Sequence, residues 1–211
     1  MSTLRRIVLV RHGETEGNSS LRFYGSTDVP LSEMGRAQMR ALVAQFRAGP
    51  FRGEPFDLYG ASPLSRSWES AWILSDGAPV RLFADFAEIP FGRWEGLSAE
   101  EIRASDPVRF GDWQNKVPGF EFPGGEARAV FRARVVHGLA RLQAEPVHSA
   151  LLVLHKGVIR TIAEQLTRQE LPVGEPALAS VIVLTREAGG PWFRGLHSSN
   201  PPALVSGDLA A

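Results

Sequence analysis

Two histidines and two arginines of this 211-residue sequence stand where they could act together on one anionic group. Arg11-His12-Gly13-Glu14-Thr15 follows directly on the apolar run Ile7–Val10. Ser62-Pro63-Leu64-Ser65-Arg66 follows the short run Asp57–Ala61, and His155-Lys156-Gly157 follows Ala150–Leu154. In open α/β sheets, ligands sit beyond the carboxyl ends of strands and near helix N-termini, so these three strand ends would share one rim. Guanidinium forks match phosphate oxygens bidentately and keep their charge at any working pH. A phosphate monoester carries about 1.5 to 2 negative charges near neutrality, which Arg11, Arg66 and a cationic histidine would balance. A neutral imidazole is also a competent nucleophile toward phosphorus. The cluster reads as a phosphate pocket with a covalent option. Taken singly, each member has an ordinary alternative: a surface turn for Arg11-His12, an ion pair with Glu69 for Arg66, a backbone hydrogen bond for His155. Three strand ends with these charges favour the joint reading.

Other chemistries lack their residues. There is no Gly-x-x-x-x-Gly-Lys-Ser/Thr loop and no Gly-x-Ser-x-Gly elbow. The sequence has no cysteine, which removes disulfides, thiolate metal sites and cysteine nucleophiles together. No His-x-x-x-His or His-Glu-x-x-His spacing occurs, so neither a metal nor another cofactor is expected. His137, His148 and His197 are read as structural or surface histidines. Lys and Arg number 23 against 23 Asp and Glu, a balance that argues against a nucleic-acid or membrane-surface partner. The expected partner is a small phosphorylated metabolite. No apolar stretch reaches the length of a signal peptide or membrane span, so the expected location is the cytoplasm. Oligomeric state leaves no mark in the sequence.

The elements that must position these residues alternate along the chain. Ile7–Val10, Asp57–Ala61, Val80–Phe83 and Ala150–Leu154 read as strands, and Val181–Leu184 and Trp192–Leu196 as two more. Ser32–Arg47 reads as a helix capped by Ser32, with Met34, Met39, Leu42, Val43 and Phe46 on its apolar stripe. Ser65–Leu74 is a second helix with Trp68, Ala71 and Trp72 on one side, Glu126–Leu142 a third and Val158–Leu166 a fourth. Strand–helix alternation predicts an α/β fold, a largely parallel sheet sandwiched by helices. The length fits a single domain over residues 1–211, with a weakly ordered tail from about 198. Residues 85–125 break the alternation with an insertion holding Phe91, Trp94, Phe110, Trp113, Phe120 and Phe122. A capping box at Ser98–Glu101 and a helix start at Asp106-Pro107 predict two short helices there. Such an insertion serves either as a lid or as an aromatic satellite core.

Arg11 through Asn18 resembles the RHGxTxxN signature of the histidine phosphatase superfamily, the phosphoglycerate-mutase-like proteins. The likeness continues through Gly25, Asp28, Pro30-Leu31-Ser32 and Gly35, then Ser62–Arg66, Glu88-Ile89 with Phe91–Gly96, Pro123–Glu126, and Leu154–Arg160. The resemblance implies that His12 is the nucleophile that becomes phosphohistidine. It implies that Arg11, Arg66 and His155 bind the phosphoryl oxygens, with Asn18 and Arg22 at the pocket edge. Glu88 would protonate the leaving oxygen and then activate water. Trp94-Glu95-Gly96-Leu97 resembles the phosphatase branch, so a phosphomonoester hydrolase is the first expectation. A cofactor-dependent phosphoglycerate mutase and a catalytically silent regulatory module on the same fold are the alternatives. Two positions depart from the family pattern. Gly17 replaces a larger residue, which would widen the entrance, and Lys156 replaces a small one, adding charge near the substrate or pointing to solvent.

Overall fold

Strand β1 (Arg6–Arg11) is buried on both faces over Ile7, Val8, Leu9 and Val10, as an interior strand of a covered sheet must be. The computed structural model describes residues 2–19, 21–49 and 55–195. Along them follow α1 (Glu33–Ala48), β2 (Leu58–Ala61), α2 (Ser65–Ser75) and β3 (Val80–Leu82). Then come α3 (Ala99–Ser105), α4 (Pro107–Gln114), α5 (Arg128–Ala144), β4 (Ser149–Leu154), α6 (Lys156–Thr167), β5 (Val181–Thr185) and β6 (Phe193–Arg194). The strands form one sheet in the order β3-β2-β4-β1-β5-β6. β1, β2, β3 and β4 run parallel, and β5 and β6 join antiparallel. The mostly parallel α/β sandwich expected from the alternation is the observed architecture.

Period-two alternation sorts the sheet into two cores. Val8, Val10, Leu151 and Val153 pack with Met39 and Leu42 of α1 and Ala71 and Leu74 of α2. Ile7, Leu9, Leu152 and Leu154 pack with α5, α6 and the rings of the insertion. Those rings meet at Trp94, whose centroid lies 5.7 Å from Phe120 and from Phe122, and 6.3 Å from Phe110 and from Trp113. The insertion is therefore continuous with one core of the sheet, and its two short helices begin at the expected starts.

Two helix faces differ from the sequence reading. Met34 is 52% exposed, because α1 turns Gly35, Met39 and Leu42 inward and residue 34 lies a third of a turn away. Trp68 and Trp72 are 44% and 62% exposed. The buried face of α2 is instead Arg66, Ser67, Ser70, Ala71 and Leu74, mostly small residues that let the helix come close to the strand ends. Ser67 Oγ donates to the Val153 carbonyl at 2.6 Å and accepts from Ser62 N–H at 3.0 Å, a contact that an aromatic face would prevent. The last strand is shorter than expected, Phe193–Arg194, and Leu196, His197 and the tail from 198 lie outside the described residues.

Candidate active site

The parallel pairing of β1 with β4 aligns Arg11 with Leu154, so His12 and His155 leave adjacent strand ends side by side. His12 N–H donates to the Leu154 carbonyl at 3.1 Å, and the two imidazoles meet edge to face at 5.2 Å between centroids. Both are buried, at 4% and 1% exposure. Gly13 is required here: a Cβ on it would lie 2.6 Å from the Gly35 carbonyl oxygen, so the loop after β1 can press against α1 only as glycine. The Ser32 cap of α1 fastens the same loop, its hydroxyl donating to the Glu14 carbonyl at 3.2 Å and accepting from Gly35 N–H at 3.1 Å.

This loop geometry fixes the His12 tautomer. Nδ1 lies 2.7 Å from the Gly13 carbonyl oxygen. A carbonyl can only accept, so Nδ1 carries the hydrogen and Nε2 keeps its lone pair. Burial, followed by the charges of Arg66 and Arg11, holds His12 well below the usual imidazole pKa. His155 is lowered in the same sense by burial, Arg66, His12 and Arg11. Both shifts run against the cationic histidine expected from the sequence, because two buried guanidiniums already place positive charge beside the rings. Nε2 of His155 is joined to Ser62 Oγ at 2.6 Å.

Arg66 comes from the first turn of α2 and is fully buried. Among the described residues no carboxylate hydrogen-bonds to it. Its Nη1 donates to Thr27 O at 2.8 Å, and its Nη2 to Gly25 O at 2.8 Å and Tyr24 O at 3.1 Å. Glu69, the alternative partner, is taken by Arg36 at 2.6 Å. Arg11 donates through Nη1 to Pro176 O at 3.0 Å. Its pKa is pulled down to about 10 by burial, against the opposing pull of Glu88 and Glu14, and it stays protonated at neutrality. Among the described residues, Arg11 Nε, Arg66 Nε and His155 Nδ1 are buried polar atoms that no protein group satisfies. Leaving such donors unmade costs about 1–3 kcal/mol each, which an oxyanion bound among them would recover.

Glu88 is buried at 6% exposure. Its carboxylate accepts from Ile89 N–H and from Gly157 N–H in the first turn of α6, both at 3.0 Å. Burial raises its pKa, and these hydrogen bonds together with Arg66 and Arg11 only partly offset that. Arg134 of α5 fixes the backbone before it, donating to Asp85 O at 3.0 Å, Ala87 O at 2.6 Å and Glu88 O at 3.2 Å.

The edge residues are placed differently. Arg22 donates to Gly96 O at 2.6 Å and pairs with Glu101 at 2.8 Å, which binds the loop after β1 to α3. Asn18 is exposed on a left-handed turn with φ 58°, its carbonyl accepting from Leu21 and Arg22 N–H. Gly17 does not widen an entrance, since the Tyr24 ring fills the place a side chain would take. Lys156 is half-buried at the start of α6, its pKa lowered by burial and by Arg11 and Arg160. Ser62, Glu95 and Arg134 escaped the sequence reading as positioning residues. Ser62 carried a signal in its place at the end of β2, and Glu95 in the family-like stretch Phe91–Gly96, while Arg134 carried none.

Three comparisons bear on this arrangement. Residues 7–198 match the model of the histidine phosphatase superfamily (branch 1). The adenosylcobalamin/alpha-ribazole phosphatase of Salmonella typhimurium is 32% identical over 168 residues, 76% of this chain and 79% of that protein. The glucosyl-3-phosphoglycerate phosphatase of Mycobacterium tuberculosis is 33% identical over 227 residues, 97% of this chain and 98% of that protein. A solved structure of a mycobacterial glucosyl-3-phosphoglycerate phosphatase with VO3 superposes with a TM-score of 0.75 at 28% identity, covering 94% of this chain and all of that one.

Proposed function

Because the chain belongs to the histidine phosphatase superfamily, we propose that it hydrolyses monophosphate esters of small metabolites through a phosphohistidine formed on His12. One observation carries the reading. The Gly13 carbonyl holds His12 in the tautomer with a free Nε2 lone pair, in a buried cluster where Arg11 Nε, Arg66 Nε and His155 Nδ1 lack partners among the described residues.

The chemistry follows from these groups. Arg11 and Arg66 take the non-bridging phosphoryl oxygens, and their charge is strongest in effect where water is excluded. With the Ser62 hydroxyl donating to His155 Nε2, Nδ1 of His155 carries a hydrogen and adds a neutral donor to the same oxygens. His12 Nε2 attacks phosphorus, the P–O bond to the alcohol breaks, and protonated Glu88 delivers its proton to the departing oxygen. A water molecule then attacks the phosphorylated imidazole, giving its proton to the Glu88 carboxylate as the P–N bond breaks and inorganic phosphate leaves. One carboxyl can serve both halves, since burial raises its pKa and so favours the protonated form that the first half needs. No step calls for a metal. Asn18 and Arg22 belong to the pocket edge, and the Arg22–Glu101 pair must open before that guanidinium reaches a substrate.

The relatives carry the names of different phosphatases: adenosylcobalamin/alpha-ribazole phosphatase, glucosyl-3-phosphoglycerate phosphatase and phosphoserine phosphatase. What they share is a phosphomonoester on a small metabolite, and that is the substrate class assigned here. The decisive experiment is acid-quench trapping with a 32P-labelled monophosphate ester in the presence of a chelator. The expected result is a transient, acid-labile label on His12 that disappears in His12→Ala, with release of inorganic phosphate. Label on another residue, or turnover abolished by the chelator, refutes the mechanism.

A further inference from the structure

Glu95 receives more hydrogen bonds than any group the mechanism uses. Its carboxylate accepts from the backbone N–H groups of Gly25 at 3.1 Å, Ser26 at 3.0 Å, Thr27 at 3.3 Å and Phe91 at 2.8 Å. It also accepts from the hydroxyls of Thr27 at 2.6 Å and Ser26 at 3.4 Å. Three successive amides of one loop therefore converge on a single side chain. The opposite side of that loop presents its carbonyls to Arg66: those of Gly25 and Thr27, each at 2.8 Å, with Tyr24 O beside them at 3.1 Å.

The two sets of bonds are mechanically linked. A peptide unit is planar, so fixing an N–H also fixes the carbonyl bonded to the same nitrogen. By holding the Ser26 N–H, Glu95 sets the orientation of the Gly25 carbonyl, which is one of the acceptors of Arg66. A carboxylate anchored by charged hydrogen bonds suits this task, since such bonds are about twice as strong as neutral ones. Burial alone would push the Glu95 pKa up, but the donors from Thr27, Phe91, Ser26 and Gly25 outweigh it and hold it below the usual carboxylate value. Gly25 itself leaves no room for adjustment, because a Cβ there would meet the Ile89 carbonyl and the Glu95 carboxylate.

We infer that Glu95 is a positioning residue for the phosphate site: it braces the 24–27 loop so that its carbonyls hold the Arg66 guanidinium with Nε turned to the phosphoryl group. Glu95 touches neither substrate nor reacting atoms in this scheme. The inference rests on the phosphatase reading only for its consequence in phosphate binding, while the Glu95–loop–Arg66 linkage stands on geometry.

The test has two arms. Guanidinium resonances of Arg66, identified by their absence in Arg66→Ala, are followed by 15N NMR in wild type and Glu95→Ala. The expected result is loss or broadening of slowly exchanging Nη signals, and unchanged signals overturn the linkage. In the second arm, inorganic phosphate affinity is measured in wild type, Glu95→Ala, Arg66→Ala and the double variant. Glu95→Ala should weaken phosphate binding about 10- to 100-fold in the wild-type background, the scale expected of a roughly 1 Å misplacement. In the Arg66→Ala background the same change should cost less than about twofold, because the guanidinium it positions is gone. Equal losses in both backgrounds mean a merely structural role and overturn the inference. Should Glu95→Ala fail to fold, Glu95→Gln replaces it in both arms, keeping the volume while turning an NH2 toward amide donors. A wild type that binds no phosphate while the NMR linkage holds rejects the phosphatase reading, not the positioning role.

Discussion

Gly157→Ala tests the acid assignment without touching a group that would transfer a proton. An alanine Cβ at this position would lie 2.5 Å from Glu88 Oε1 and 3.3 Å from both Glu88 Cδ and Phe131 Cζ. An ordinary contact to oxygen needs about 3.4 Å or more, so the carboxylate must retreat by roughly 1 Å. The buried Phe131 ring restricts its path, and the retreat strains the 3.0 Å bonds from Ile89 and Gly157 N–H. A misplacement of about 1 Å costs on the order of 100-fold in rate, inside the roughly 10²–10⁴-fold that general acid catalysis contributes. The fold should tolerate the change. Overpacking costs about 1–3 kcal/mol, a fraction of the roughly 5–15 kcal/mol by which domains are stable.

The loss must depend on the leaving group. An alkoxide needs a proton from the general acid, the role proposed for Glu88, whereas p-nitrophenolate departs with little help. Rapid-quench single turnover should show phosphorylation of His12 by an alkyl phosphate slowed about 100-fold, and by p-nitrophenyl phosphate less than about tenfold. Thermal melting of the same sample checks that the fold is intact. Unchanged phosphorylation by the alkyl ester, or equal slowing with both esters in a folded variant, refutes the placement of Glu88 as the acid.

Two further predictions follow from the same geometry. Arg66→Lys should lower kcat/KM by about 2–4 kcal/mol in transition-state stabilisation, since an ammonium cannot both satisfy the three carbonyls of the 24–27 loop and offer a fork to phosphate; steady-state kinetics within about threefold of wild type would refute the fork. The pH profile should have its acid limb set by His12, whose lone pair is lost as pH falls through a pKa held below the ordinary imidazole value. With an alkyl phosphate an alkaline limb should appear, because protonated Glu88 is lost as pH rises through a pKa above 4.5. That limb should be weak with p-nitrophenyl phosphate, and identical limbs with both esters would contradict the assignment.

Much of this site was legible in the sequence because polar residues follow abruptly on buried strands. Arg11, His12 and His155 sit where β1 and β4 end, and strand ends of a parallel sheet converge without any further information. Arg66 was legible as the first turn of a helix after β2, but its partners were not. Its three carbonyls belong to an irregular loop whose conformation depends on Glu95, far along the chain. Glu88 was placed by resemblance alone, since its segment carries no periodicity and is fixed by Arg134 and Gly157 from other elements. Helix faces were misread where apolarity was equated with burial. α2 reaches the sheet through Ser67, Ser70 and Ala71 and leaves Trp68 and Trp72 outside, a choice dictated by how close the helix must come to the strand ends. Residue type also does not disclose the charge of the two histidines, which burial beside two guanidiniums shifts toward the neutral form.

The strand order β3-β2-β4-β1 has a consequence for the order in which function appears during folding. β1 and β2 are never neighbours; β4, from far later in the chain, enters between them. Until it does, Arg11 and His12 belong to one fragment and Ser62 and Arg66 to another, with no sheet joining them. The strand that unites the fragments also delivers His155, and the helix after it supplies the Gly157 N–H that receives Glu88. Closing so long a loop adds little free energy beyond that of a shorter one, but it makes assembly slow. If Arg11, His12 and Arg66 act as proposed, the first half of the chain already holds these groups but lacks the strand that brings them together. Catalysis should then begin only once the sheet is complete, and phosphate affinity in a refolding experiment would report the seating of β4.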